Sequence, residues 1–153
     1  MQREYDVALS FAGEQRSYVH ECARELKSRN VAVFYDEMAA VDTWGKDLYQ
    51  YFHALYSKRA IYTVLFASKE YAEKRWTRHE LRAAQSRALS EDYEYILPAR
   101  FDDTEIPGLP STVGYLDLRR TRPRELADMI IQKLRTRTTE FDASKVVDPT
   151  PDY

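Results

Sequence analysis

The sequence is poor in glycine and has almost no cysteine. Its four glycines form no G-x-G-x-x-G and no G-x-x-x-x-G-K-[ST], which argues against a Rossmann dehydrogenase and a P-loop nucleotidase. The single cysteine, Cys22, makes no internal disulfide and builds no cysteine-based metal site. That fits a reducing, cytoplasmic compartment. No apolar run approaches the about 20 residues of a bilayer span, and the polar start Met1-Gln2-Arg3-Glu4 shows no secretory signal. Lys and Arg number 23 against 25 acids, for a net charge of -2. Without a basic excess, a nucleic-acid partner is not expected. The seven bases between Arg119 and Arg137 read as a solvated helix face, with cations near the negative end of the helix dipole.

What is present is the composition of one globular domain. Apolar residues make up 44% and charged residues 31%, with a mean hydropathy of -0.63, over a length that supports a single core. Strand-like and helix-like segments alternate. Tyr5 to Phe11 is a short apolar run. From Glu14 to Arg29 the apolar residues Tyr18, Val19, Cys22, Ala23 and Leu26 lie on one helical face. Asn30 is placed to end that helix, and Cys22 reads as inert core.

Val31 to Tyr35 reads as a second strand, Asp36 to Gly45 as a loop and Lys46 to Ser57 as a helix. Ala60 to Ala67 is the most apolar strand. Ser68 can cap a helix carrying Tyr71, Ala72, Trp76, Leu81, Ala84 and Ala88. Tyr95 to Ala99 and Tyr115 to Leu118 read as two more strands around a Pro- and Asp-rich loop. Pro123 starts a last helix at a favoured position. Buried strands joined by helices predict an α/β fold. The expectation is a flavodoxin-like, doubly wound, five-stranded parallel sheet with helices on both faces. Residues 136–153 lack periodicity and are expected to form a polar, disordered tail or linker.

In such a sheet, ligands bind beyond the carboxyl ends of the strands. This directs attention to the loop at Ser10-Phe11-Ala12-Gly13-Glu14, to Asp36–Lys46, and to Ser68 with the helix after it. Trp76 and Glu80 are four residues apart, so they are expected to share one helical face. A tryptophan can stack on a heteroaromatic ring while a nearby carboxylate holds a ribose or a developing positive charge. The same residues also suit plainer roles. A helix Trp serves core packing, and a mid-helix Glu pairs with a base such as Arg75 or Lys74. His79 points away from Glu80.

Three motifs in order now carry a resemblance. They are Tyr5-Asp-Val-Ala-Leu-Ser-Phe-Ala-Gly-Glu14, then Val33-Phe-Tyr-Asp36 with Trp44-Gly-Lys-Asp-Leu48, then Ser68-x-x-Tyr71 with Trp76-Thr-x-x-Glu80-Leu81. From Tyr5 to about Leu134 the chain resembles a TIR (Toll/interleukin-1 receptor) domain of the bacterial NAD+-cleaving type, with the domain set at residues 1–135. It departs from animal signalling members, since Asp36–Lys46 contains no proline and the third box with its Phe-Trp pair has no counterpart.

The resemblance implies cleavage of NAD+ at the nicotinamide–ribose bond, with Glu80 as the catalytic carboxylate. Candidate substrate-binding residues are Ser10, Phe11, Ala12, Gly13, Tyr35, Trp44, Lys46, Ser68 and Trp76. NAD+ is then substrate, with no cofactor and no metal required. The product is ADP-ribose or a cyclic isomer, in antiphage defence signalling. Copies of the chain are expected to self-associate through the BB loop, residues 36–46. The other reading is a non-catalytic TIR interaction module that acts by self-association alone. Phe11 and Tyr35 suit core as well as pocket, Gly13 also suits a plain strand end, and Lys46 suits a helix-start surface position.

Overall fold

The computed structural model describes residues 3–37, 41, 44–75, 79–110, 112–149 and 151, with the backbone alone for residues 75 and 79–81. Five strands are described: β1 Tyr5–Ser10, β2 Val33–Asp36, β3 Ala60–Ala67, β4 Ile96–Arg100 and β5 Leu116–Asp117. They form one parallel sheet in the order β2-β1-β3-β4-β5. This is the expected flavodoxin-like arrangement, whose switch point falls between β1 and β3. Every residue of β3 is buried, as a parallel strand covered on both faces requires.

The described helices are α1 Arg16–Ser28, α2 Leu48–Ser57, α3 Lys69–Arg75, α4 His79–Asp92 and α5 Pro123–Arg135. Helices α1 and α5 pack together on one face, over Val7, Leu9, Val64 and Phe66. Helices α2 and α4 pack on the other, over Leu65, Ala67 and Ile96. Local signals fix the helix ends. Asn30 takes a left-handed φ of 68°, and the Asn30 and Val31 N–H groups close back on the Lys27 and Leu26 carbonyls, a Schellman ending. Asp47 caps α2 by accepting from the Gln50 N–H. Pro123 opens α5, where no donor is lost.

Of the helix expected from Ser68 to Ala88, the described parts are α3 and α4; residues 76–78 lie outside the described residues. The segment after Thr136 is not a disordered end, because its apolar side chains join the fold. Phe141 is buried in the cluster beneath α1 and α5, and Val146 packs against that cluster. The Val147 N–H donates to the Arg29 carbonyl, and Arg29 Nε returns a bond to the Val147 carbonyl at 3.0 Å. Glu140 pairs with Arg3 and Arg137. Two widely spaced apolar anchors give no periodic signal, yet Phe141 removes a large ring from water. No described helix is long and apolar enough to cross a membrane.

Candidate functional site

The carboxyl ends of β1, β2 and β3 meet at a buried polar cluster. Ser10 Oγ donates to Asp36 Oδ2 at 2.8 Å and lies 2.8 Å from the Tyr71 hydroxyl. A serine has one proton to give, so with Ser10 donating to Asp36 the Tyr71 hydroxyl is the donor to Ser10. Ser10, Asp36, Ser68 and Tyr71 are all buried. The Ser68 hydroxyl accepts from the Tyr71 N–H at 3.0 Å, which makes Ser68 the cap of α3. Asp102, from the loop after β4, accepts from the Lys69 N–H at 3.0 Å. Burial raises the Asp102 carboxyl, but hydrogen bonds from Lys69 and Thr104 outweigh it and hold the carboxyl below its ordinary value. The open end of α3 is therefore occupied by the protein's own acceptors.

Above this cluster, the turn Gly13–Gln15 is tied on both sides. Arg16 pairs with Glu37 past the end of β2. Lys74 of α3 pairs with Glu14 at 2.6 Å. The hydrogen bond from Lys74 is the main reason the Glu14 carboxyl sits below its usual range, helped by a backbone hydrogen bond. A Cβ on Gly13 would come within 2.7 Å of Glu37 Oε1, so the space beside this glycine is filled by the Arg16–Glu37 pair.

The structure separates the candidate residues into groups. Ser10, Ala12 and Ser68 sit together at the strand ends, with both hydroxyls already engaged. Phe11 and Tyr35 lie on the α1 side of the sheet, ring to ring with centroids 6.2 Å apart. Phe11 is core; Tyr35 is half-buried, between His20 at 5.4 Å and the Lys27 ammonium at 4.6 Å. Lys46 lies over the Tyr51 ring, beside a groove of about 450 Å³ along the outer edge of β2 that Phe34, Tyr35 and Arg59 also line. Trp44 is 84% exposed.

Glu80 is the second residue of α4. Trp76, and with it the shared Trp76–Glu80 face, lies outside the described residues. The sequence named Lys74 only as a partner for a mid-helix Glu and singled out neither Asp36, Tyr71 nor Glu14 as a site residue. Tyr71 stood in a quoted motif, but only the strand register brings it to Ser10, 61 residues away. Helix α4 is held to α2 by polar pairs. His53 Nδ1 lies 2.7 Å from Asp92 Oδ2, Tyr49 bonds Glu91, and Gln85 bonds Tyr56. Among the described residues, no cluster of three His, Cys, Asp or Glu side chains could hold a metal ion.

The family model for the TIR domain matches residues 7–134. The 3' cyclic ADP-D-ribose synthase AaTIR of Aquimarina amphilecti is 50% identical over 153 residues, covering 97% of this chain and 47% of that protein. The chain therefore spans about half the length of this curated relative. Among solved structures, the crystal structure of a diflavin flavoprotein A3 from Nostoc sp. is similar at 14% identity with a TM-score of 0.49. That match covers 90% of this chain and 99% of that one.

Proposed function

The chain belongs to the TIR domain family, and from that footing we propose that it cleaves NAD+ at the nicotinamide–ribose bond and closes the product into a cyclic ADP-ribose. The observation that carries this is the 50% identity, over 97% of the chain, to a protein named for 3' cyclic ADP-D-ribose synthesis. NAD+ is the substrate and no further cofactor enters.

The chemistry asks for one carboxylate. An ordinary glycosidase needs a second, because an alcohol leaving group must be protonated. Nicotinamide leaves a cationic pyridinium as a neutral base, taking the electron pair of the C–N bond. What remains is an oxocarbenium-like ribosyl centre. We assign Glu80 to stabilise that charge and to accept from the ribose hydroxyls, and Trp76 to stack beside it. A ribose hydroxyl of the same molecule then forms the new C–O bond and releases its proton to solvent. Water in its place gives linear ADP-ribose. The family and the lone cysteine, buried in the α1 face, support a cytoplasmic setting and a role in antiphage signalling.

Self-association through residues 36–46 belongs to the same proposal. Trp44 and Val41 are 84% and 68% exposed, and apolar side chains grouped in one exposed loop are typical of contact surfaces.

The test is incubation of concentrated protein with NAD+, with nicotinamide followed by chromatography and the sugar product by mass. Wild-type protein is expected to release nicotinamide and a product one water lighter than ADP-ribose. Glu80→Ala should release neither; equal turnover by both would remove Glu80 from the mechanism. Trp44→Ala should lower the mass found by light scattering and abolish the rise in specific activity with protein concentration. Association of the chain with no turnover at any concentration would favour the interaction module.

A further inference from the structure

We infer that Arg100, at the carboxyl end of β4, binds the diphosphate of the dinucleotide. This rests on the NAD+ reading above and adds to it the residue that meets the substrate's negative charge.

NAD+ carries its anionic charge on the diphosphate alone, so the crevice at the strand ends needs a cation or free N–H groups there. Most of the polar side chains around that crevice are already engaged. The Ser10 and Ser68 hydroxyls are bound within the buried cluster. The N-terminus of α3 is met by Asp102. Arg16 and Lys74, which flank the first loop, are paired with Glu37 and Glu14. Lys46 stands at the far edge of β2.

Arg100 differs from these. Its Nε is buried and has no hydrogen-bond partner among the described residues. The acids nearby in the fold are taken: Asp117, its register partner on β5, is bound by Arg119, as is Asp103. Asp102 accepts from Lys69 and Thr104. An arginine stays charged at any physiological pH, and a buried donor is costly to leave unmade.

The guanidinium is also oriented. It lies 5.1 Å from the centroid of the Tyr115 ring, and the Tyr115 hydroxyl is itself fixed by the Ile106 N–H. Strand alternation puts Arg100 opposite Ala99, hence on the face where α4 packs. It pairs in register with Ala67 of β3, next to Ser68. A planar, oriented guanidinium at a strand end is the donor that matches phosphate oxygens two at a time.

The experiment titrates this chain, wild type and Arg100→Gln, with ADP-ribose and separately with adenosine, by calorimetry or chemical-shift perturbation. Arg100→Gln should weaken ADP-ribose binding roughly 10- to 100-fold, the range of a lost charge-assisted hydrogen bond. Adenosine binding should be unchanged. Arg100→Lys keeps the charge without the fork and should fall between the two, which also covers the case in which the glutamine variant does not fold. In turnover, KM for NAD+ should rise more than kcat falls. Equal ADP-ribose affinity in wild type and both variants overturns the inference, as does the absence of ADP-ribose binding by wild type. Nicotinamide release by wild type is scored separately, so an inactive but ADP-ribose-binding protein would count against the proposed reaction and not against Arg100.

Discussion

The hydroxyl of Ser10, the last residue of β1, lies 2.8 Å from the hydroxyl of Tyr71 in α3. This contact links the first strand to the helix after the third, beneath the loop expected to meet the substrate. It sits in a chain of bonds from Asp36 through Ser10 to Tyr71, whose N–H is held by Ser68. Tyr71→Phe should keep the packing and remove the donor, leaving Ser10 one bond short in a buried place. The expected cost is about 1–3 kcal/mol, measured by urea denaturation. Ser68→Ala, which removes the cap, should cost about 1 kcal/mol. A Tyr71→Phe protein as stable as wild type would show that the hydroxyl pair contributes nothing.

Gly108 fixes the loop between β4 and β5 against α4. Its φ is +102°, and an added Cβ would meet the Ser86 backbone oxygen at 2.5 Å. Neither constraint can yield by a side-chain rotation, so Gly108→Ala should destabilise by about 1–3 kcal/mol or more. Gly13→Ala meets only the ends of the Arg16 and Glu37 side chains, so its effect should be smaller. Thermal melts of the two variants, compared side by side, check the order.

Phe141 makes the segment after α5 part of the fold. A chain ended at Arg135 should lose stability, and Phe141→Ala alone should cost about 3–5 kcal/mol, the range for emptying a buried aromatic site. A truncated chain that melts with the full one would show that the segment adds nothing.

The same segment predicts a response to acid. Burial raises the Glu140 carboxyl, but the hydrogen bond and charge of Arg137, with Arg3, outweigh it and hold the folded value below the ordinary carboxylate value. A lowered folded pKa means that the unfolded chain binds the proton more tightly. The stabilisation is therefore complete above the unfolded value and is lost as pH falls through the folded one. Glu140→Gln should lower stability at pH 7 and flatten the fall in stability below about pH 4.5 relative to wild type. Denaturation curves at several pH values measure both.

Burial, with a smaller effect from Glu25, pushes the Cys22 thiol up to about 12. The native protein should therefore not react with a thiol reagent at pH 8 on the timescale of the unfolded chain, which should react at once. Rapid native modification would mean that α1 opens readily.

Much of this protein was set by residues close together in sequence. Alternating buried strands and one-faced helices implied the five-stranded parallel sheet, because period and length of apolar runs are local properties. Asn30, Ser68 and Pro123 marked helix ends because a cap acts within one turn. The three motifs brought the family and the glutamate at position 80, since they need only order and spacing.

Tertiary structure decided what those residues are free to do. Ser10 and Ser68 are hydroxyls at strand ends in either view, yet register and helix placement bind them to Asp36 and to the Tyr71 N–H, so they are not open donors. Phe11 and Tyr35 stand near strand ends, but the pleat turns them toward α1. Phe141 looks like part of a loose tail until the chain folds back over Arg29. Arg100 carries no sequence signal; only the fold buries its Nε beside β5 and near the Tyr115 ring, with no partner among the described residues. Hydrogen-bond partners and exposed faces are set by residues tens of positions away, and such distances come from the packed sheet and not from the spacing of neighbours.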